Sequence, residues 1–334
     1  MRLRYVGFAE ELNYRPVTPP DAVFHVDIAS ASLDVPADPN LKFEGGLYRG
    51  LKTIRPGYYV PTGNIVYPAD IRTIAYILKW ALGKYVYTAG GVGINTHEIY
   101  SAEELLLPSF TARLGKDVFE HIFTGCIVNS LELKVEGEYF YLTIDVVGGR
   151  DYKGVIKAIG DLILPEEYPL SFIDTNMVIG EASAYSCKFK SLTISIANNL
   201  APDAGKGYGS RFPCRLPIGQ RNVTISGSLF WENTDEYVKY WGDADGSSAN
   251  EPTKEKLTIT LDSGAFGSMN LVLPNFYLSQ LTTPPSGRTE IVQGFSAIAL
   301  VDTVTLADEV TEVDTDILAT ILNGADDLDE DIVS

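Results

Sequence analysis

The stretch His121-Ile122-Phe123-Thr124-Gly125-Cys126-Ile127-Val128-Asn129-Ser130-Leu131-Glu132-Leu133-Lys134-Val135, followed after Glu136-Gly137-Glu138 by Tyr139-Phe140-Tyr141-Leu142-Thr143-Ile144-Asp145-Val146-Val147, sets the fold class. Leu131, Leu133 and Val135 alternate with Glu132, Lys134 and Glu136, so one face of the strand is apolar and the other wet. The short turn predicts that the two runs pair as a β-hairpin.

Working outward, Ser109–Leu114 reads as a third strand, and Asp70–Ala81 as a helix. Asp70 caps that helix, Ile71, Ile74, Ala75, Leu78 and Leu82 recur at helical spacing, and Gly83 ends it. A Gly-rich connection joins this helix to the strands after it. Gly63–Tyr67 and Phe24–Ile28 are further strand candidates, the latter followed by Ser32-Leu33-Asp34-Val35. Between them lies a long loop, 36–62, rich in Pro, Gly, Arg and Tyr, and loops of that length are usually functional or disordered. Residues 1–23 read as an arm and 150–184 as a linker.

The same order then recurs. Strand 187–196 leads into a second Gly/Pro/Arg loop (205–219), strand 222–231, a helix-like Thr234–Trp241 stopping at Gly242, and strands at 256–262, 268–281 and 289–301. Trp80 before Gly83 parallels Trp241 before Gly242. The organisation expected is an internal duplication, with units at 24–149 and 185–301 and an acidic tail at 302–334. Ile317, Leu318, Ile321 and Leu322 suggest a short helix in that tail.

Charge and chemistry narrow the function classes. The net charge is −18, and eleven acids with no Lys or Arg lie beyond Val301, leaving −7 for residues 1–301. Such a body offers no footprint for phosphate binding. No apolar stretch approaches the roughly 20 residues that span a bilayer, and the N-terminus lacks the apolar segment of a signal peptide, so synthesis and assembly inside a cell are expected. Cys126, Cys187 and Cys214 are odd in number and widely spaced, against a disulfide framework or zinc ribbon. His25, His97 and His121 have no metal-ligand spacing, and neither G-x-S-x-G nor a phosphate-loop pattern occurs. No enzyme, cofactor or metal site is expected.

Phe123–Leu133 with Leu142-Thr143-Ile144-Asp145-Val146-Val147-Gly148 resembles the signature hairpin of tail tube proteins from long-tailed (siphovirus-like) bacterial and archaeal viruses. Leu192–Leu200, the second Arg/Pro/Gly loop and Glu290-Ile291-Val292-Gln293 are similar to the same family. The resemblance implies an all-β fold with minor α: two tandem β-barrel or β-sandwich units, each with a flanking helix and a long inter-ring loop. It further implies rings stacked into a hollow tail, here a pseudo-hexameric homotrimer, with tape-measure, terminator and distal tail proteins as partners in the virion. Double-stranded DNA would pass through without specific binding. By that analogy Glu132, Lys134, Glu136, Thr143, Asp145, Ser191, Thr193 and Ser195 line the bore. Tyr48, Arg49, Lys52, Arg55, Tyr208, Arg211 and Arg215 bridge rings. A single-ring tail component, such as a terminator or distal tail protein, and a duplicated glycan-binding β-sandwich are the alternatives.

Overall fold

The structure, a computed structural model, describes residues 4–38, 40–44, 51–91, 94–101, 103, 106–136, 138–165, 169–180, 189–230, 238–240, 253–282 and 291–329. Its first half contains β1 (Tyr5–Glu10), β2 (Phe24–Asp27), β3 (Ser30–Ala31), β4 (Asn40–Glu44), β5 (Leu51–Pro56), β6 (Thr62–Pro68) and helix α1 (Thr73–Leu82). These are followed by β7 (Gly83–Thr88), β8 (Asn95–Ser101), β9 (Phe110–Gly115), β10 (Glu120–Glu136), β11 (Tyr139–Val147) and β12 (Arg150–Gly154). The second half contains β13 (Thr175–Ile179), β14 (Phe189–Ala197), β15 (Asn222–Phe230), β16 (Glu255–Asp262), β17 (Ser268–Thr282) and β18 (Val292–Leu300). A small hairpin, β19 (Asp302–Thr305) with β20 (Glu312–Thr315), precedes β21 (Leu318–Asn323).

Two long strands organise everything else. The first half of β10 pairs with β9 and β12, and its second half with β11 and β14. The change of partners falls at Gly125, whose φ of 64° is open to glycine at little cost, and at a bulge beside Asn129. The strand thereby serves two sheets, β2-β1-β9-β10-β12 and β3-β6-β11-β10. β17 repeats the device with a bulge beside Ser279. Its first half pairs with β16 and β21, and its second half with β18, which runs on to β15 and β14. Beyond β16 lies β13, as β1 lies beyond β9. Since β10 pairs with β14, the two halves share one continuous sheet.

Helix α1 forms where the periodicity predicts. Asp70 accepts hydrogen bonds from the backbone N–H of Arg72 (2.9 Å) and Thr73 (3.0 Å), and Gly83 closes the helix in the left-handed region. Its Trp80 is fully buried, stacks on Phe110 at 4.6 Å and donates Nε1–H to Glu10 at 2.7 Å. With Phe8 and Tyr67 these rings fill the space between the two sheets of the first half. The core runs on without interruption through Leu131, Ile194 and Leu271 into the second half.

Several segments are more ordered than their sequence suggests. The expected arm contains β1, buried throughout between β2 and β9. The expected linker supplies β12 and β13, and the Gly-rich connection contains the β7–β8 hairpin. The loop 36–62 is in part the β4–β5 hairpin. The helix expected near Ile317 is the strand β21, held between β17 and β8. Of the second helix, residues 238–240 are helical and the rest of 234–241 lies outside the described residues.

Candidate assembly surfaces

The register gathers the residues expected to line a bore onto one polar face that crosses the junction between the halves. Thr143 lies opposite Glu132, Glu132 opposite Ser195, and Ser195 opposite Thr224. In the neighbouring row Tyr141, Lys134, Thr193, Ser226 and Ser296 follow one another across five strands. Asp145 sits beside Asn64 and accepts a hydrogen bond from Asn129 Nδ2 at 2.6 Å. Ser191 and Ser228 share a hydroxyl–hydroxyl bond of 2.7 Å. The side chain of Glu136 lies outside the described residues. Charge is concentrated on the β10–β11 part of this face, and the β14–β15–β18 part presents mainly hydroxyls, with exposed Lys190 at the β14 bulge.

Two asparagines that the sequence reading passed over fasten the junction. Asn198 is buried and donates from Nδ2 to the carbonyls of Ala81 (2.9 Å) and Val128 (3.1 Å), tying β14 to α1 and β10. Asn129, the bulged residue, accepts from Leu200 N at 2.9 Å while donating to Asp145. The only sequence signal is an apolar alternation that stops on Asn198-Asn199.

The loops expected to bridge rings part company. The β4–β5 hairpin pairs with no other strand among the described residues, and it exposes Leu41 (64%) and Ile54 (58%) along with Arg55. An isolated two-stranded hairpin is marginally stable at best in water, so such an element is suited to a partner surface. Tyr48 and Arg49 lie outside the described residues, as does the side chain of Lys52. The second loop, in contrast, folds back on the first half of its own chain. Tyr59 N donates to Arg211 O at 2.7 Å, and the Arg211 guanidinium lies 5.1 Å from the Tyr59 ring centre. Arg15 donates to Pro213 O at 2.8 Å. Arg211 is therefore engaged within the chain, while Tyr208 and Arg215 remain exposed.

Titratable groups are concentrated inside the first half as structural clasps. Glu11 accepts from Thr111 Oγ1 (2.6 Å), Ser109 Oγ (2.8 Å), Gly125 N (2.9 Å) and Arg15 N (3.2 Å), pinning the bend of β10. Burial pushes its carboxyl above the ordinary value, against the pull of those donors. Lys79, itself buried, bridges Glu10 (2.9 Å) and Asp329 (2.6 Å). His121 Nε2 lies 3.0 Å from Asp151, which also accepts from Tyr59 OH at 2.7 Å; the His121 bond holds the Asp151 carboxyl below its usual range. The other ring nitrogen of His121 faces Lys116 Nζ at 3.1 Å, so this pair presents no nucleophile and acts as a tie. No group of three or more metal-ligating side chains occurs among the described residues.

No curated protein matches the chain. A family model described as phage tail tube protein matches residues 5–310, which takes in both long bent strands, the junction and the polar face. With that match over nearly its whole length, the chain belongs to the phage tail tube protein family.

Proposed function

We propose that three copies of this chain close into a ring of six like sheet units, and that such rings stack into the hollow conduit through which the viral genome leaves. Family membership carries a structural role in the tail of the virion, assembled into a tube with other tail proteins. The finer reading rests above all on the β10–β14 pairing, which joins two similarly ordered sheets edge to edge inside one polypeptide. Each half runs β3-β6-β11-β10 or β14-β15-β18-β17, with the long strand then bending into a second sheet. One junction is made within the chain, and the outer edges of β3 and the second half of β17 remain unpaired among the described residues. Open edges template pairing with another chain, and a closed ring removes them.

The polar face would then surround the bore. Glu132 and Asp145 against Lys134, with hydroxyls and the single Lys190 elsewhere, give a surface that offers phosphates few cations to hold. The β4–β5 hairpin, exposed on both faces, would reach the next ring, with Arg55, Lys52, Arg49 and Tyr48 among its residues. Tyr208 and Arg215 would contribute from the second loop, whereas Arg211 serves to anchor that loop. Tape-measure, terminator and distal tail proteins would meet the ends of the tube.

Negative-stain microscopy of concentrated protein tests this reading. Striated tubes are expected. Single rings that never stack would instead favour a terminator or distal tail component, and dispersed monomers at every concentration would overturn the proposal.

A further inference from the structure

The junction inside the chain also specifies the junction between chains. In the first half one rung of the sheet runs Leu131, Ile144, Ile65, Ala31 across β10, β11, β6 and β3. In the second half the corresponding rung, counted from the same side of the bulge, runs Leu281, Phe295, Gly227, Leu192 across β17, β18, β15 and β14. The adjacent rungs correspond likewise: Glu132, Thr143, Val66, Ser30 with Thr282, Gly294, Ser228, Ser191. Within the chain, Leu131 pairs with Ile196, four residues beyond Leu192, and Glu132 pairs with Ser195, four beyond Ser191.

Applying the same offset to the open edges, the geometry points to an antiparallel pairing between copies in which Leu281 of one chain lies opposite Val35 of the next and Thr282 opposite Asp34. This rests on the ring reading above and adds the register to it. The edges are suited to it. Val35 is 39% exposed in the single chain although it stands at the position of the buried Ile196. Leu281 is already turned inward at 7% exposure, as is its counterpart Leu131. The backbone N–H groups of Ser32 and Asp34 bond inward to Asn64 and Thr62, so Leu33 and Val35 fall in the outward-facing set; in the single chain the Val35 N–H is held by the neighbouring Asp34 Oδ1 at 2.8 Å, an exposed local bond that the incoming strand would replace. Pro36 falls in the inward-facing set and removes no donor from the open edge. A shift of one residue would turn Val35 from the core face to the polar face, so the register is strongly specified.

Cysteine pairs test this in full-length protein whose Cys187 and Cys214 are changed to Ser. Asp34→Cys with Thr282→Cys places thiols on a pair that is not hydrogen-bonded, where the strands approach most closely. Oxidation is expected to shift the chain on a non-reducing gel to a closed three-chain band. Glu132→Cys with Ser195→Cys, the internal counterpart, should close within the monomer without adding mass, showing that the fold and pair geometry survive. Ser32→Cys with Thr282→Cys, slipped by two residues, should stay unlinked. Rings seen by microscopy with cross-linking only of the slipped pair, or of neither, would overturn the register while leaving the ring reading intact. Absence of rings from the unsubstituted protein as well as of cross-links would overturn both.

Discussion

The two halves of the chain carry the same order of strand pairings through interiors of different character. The first half buries Glu10, Glu11, Asp70 and Lys79, held as described above, and Arg113 paired with Glu120 at 2.7 Å, around the Phe8–Trp80–Phe110 cluster. The second half is filled around Met177, Leu257, Leu271, Phe276 and Phe295, and its buried charge is concentrated at the Arg221–Asp316 pair, 2.9 Å apart. The polar face follows a similar division, charged on β10–β11 and mainly hydroxyl-bearing on β14, β15 and β18 apart from Lys190 at the β14 bulge. Similar backbone connectivity therefore tolerates either kind of filling. What both halves share is the bent long strand with its bulge, the feature needed to serve two sheets at once.

Breaking the charge network should give the largest effect. Lys79→Met leaves Glu10 buried without its cation and is expected to cost about 3–5 kcal/mol in urea denaturation. Adding Glu10→Gln, which keeps an acceptor for Trp80 Nε1–H, should recover part of that loss. If the double variant is as unstable as the sum of the singles, the network is not a coupled unit. In the second half, Leu271→Ala is expected to cost roughly 2–5 kcal/mol through the cavity it leaves. That loss should be the same at low and high salt.

Acidification should sharpen the contrast, because His25, His97 and His121 all lie in the first half. Burial pushes the His25 and His97 imidazoles below their ordinary value, and Lys157 adds to the effect at His25. His25 Nδ1 accepts from Ile163 N at 3.0 Å, which requires an unprotonated nitrogen. The unfolded chain takes up protons at these sites near the ordinary histidine value of about 6.5 before the folded chain does, so stability falls as pH drops through that region. His25→Gln, which retains an acceptor, should flatten the slope of stability between pH 7 and 5. An unchanged slope would remove His25 from the account.

The smallest effect on folding is expected on the polar face. Glu132→Lys with Asp145→Lys should alter stability little apart from the lost Asn129–Asp145 bond, about 1.5–3 kcal/mol at most for a part-buried bond to a carboxylate. The assembled tubes, however, should retain duplex DNA at low salt and release it as salt rises. DNA retention equal to that of the unsubstituted protein would argue that this face does not line the bore.

What could be read from the sequence depended on how many faces of a strand are covered. The hairpin at 121–147 was legible because Leu131, Leu133 and Val135 face a core while Glu132 and Lys134 face water. The strand at Tyr5–Glu10 is buried on both faces between two neighbours and its alternation disappears, so the segment resembled an arm. Ile317, Leu318, Ile321 and Leu322 matched a helical spacing for a different reason. In β21, between β17 and β8, burial alternates through Ala319, Ile321 and Asn323, but the apolar residues do not: half-buried Leu322 is apolar and buried Asn323 is polar, so the sequence shows no period of two. Lys84-Tyr85-Val86-Tyr87-Thr88 has strong strand composition but stands between Gly83 and the glycines at 90–93, which drew attention to the turn. Of the surfaces, the hairpin face was legible from its alternation. The roles of Asn129 and Asn198 were not, because each depends on a junction between segments about 70 residues apart in sequence.

The central claim is that one polypeptide supplies two neighbouring positions of a closed ring. A cryo-electron microscopy cross-section of the assembled tube measures this directly. Three chains per ring, displayed as six similar lobes around an open bore, is the expected result. Six chains per ring, or a ring whose two lobes per chain do not superpose, would contradict it.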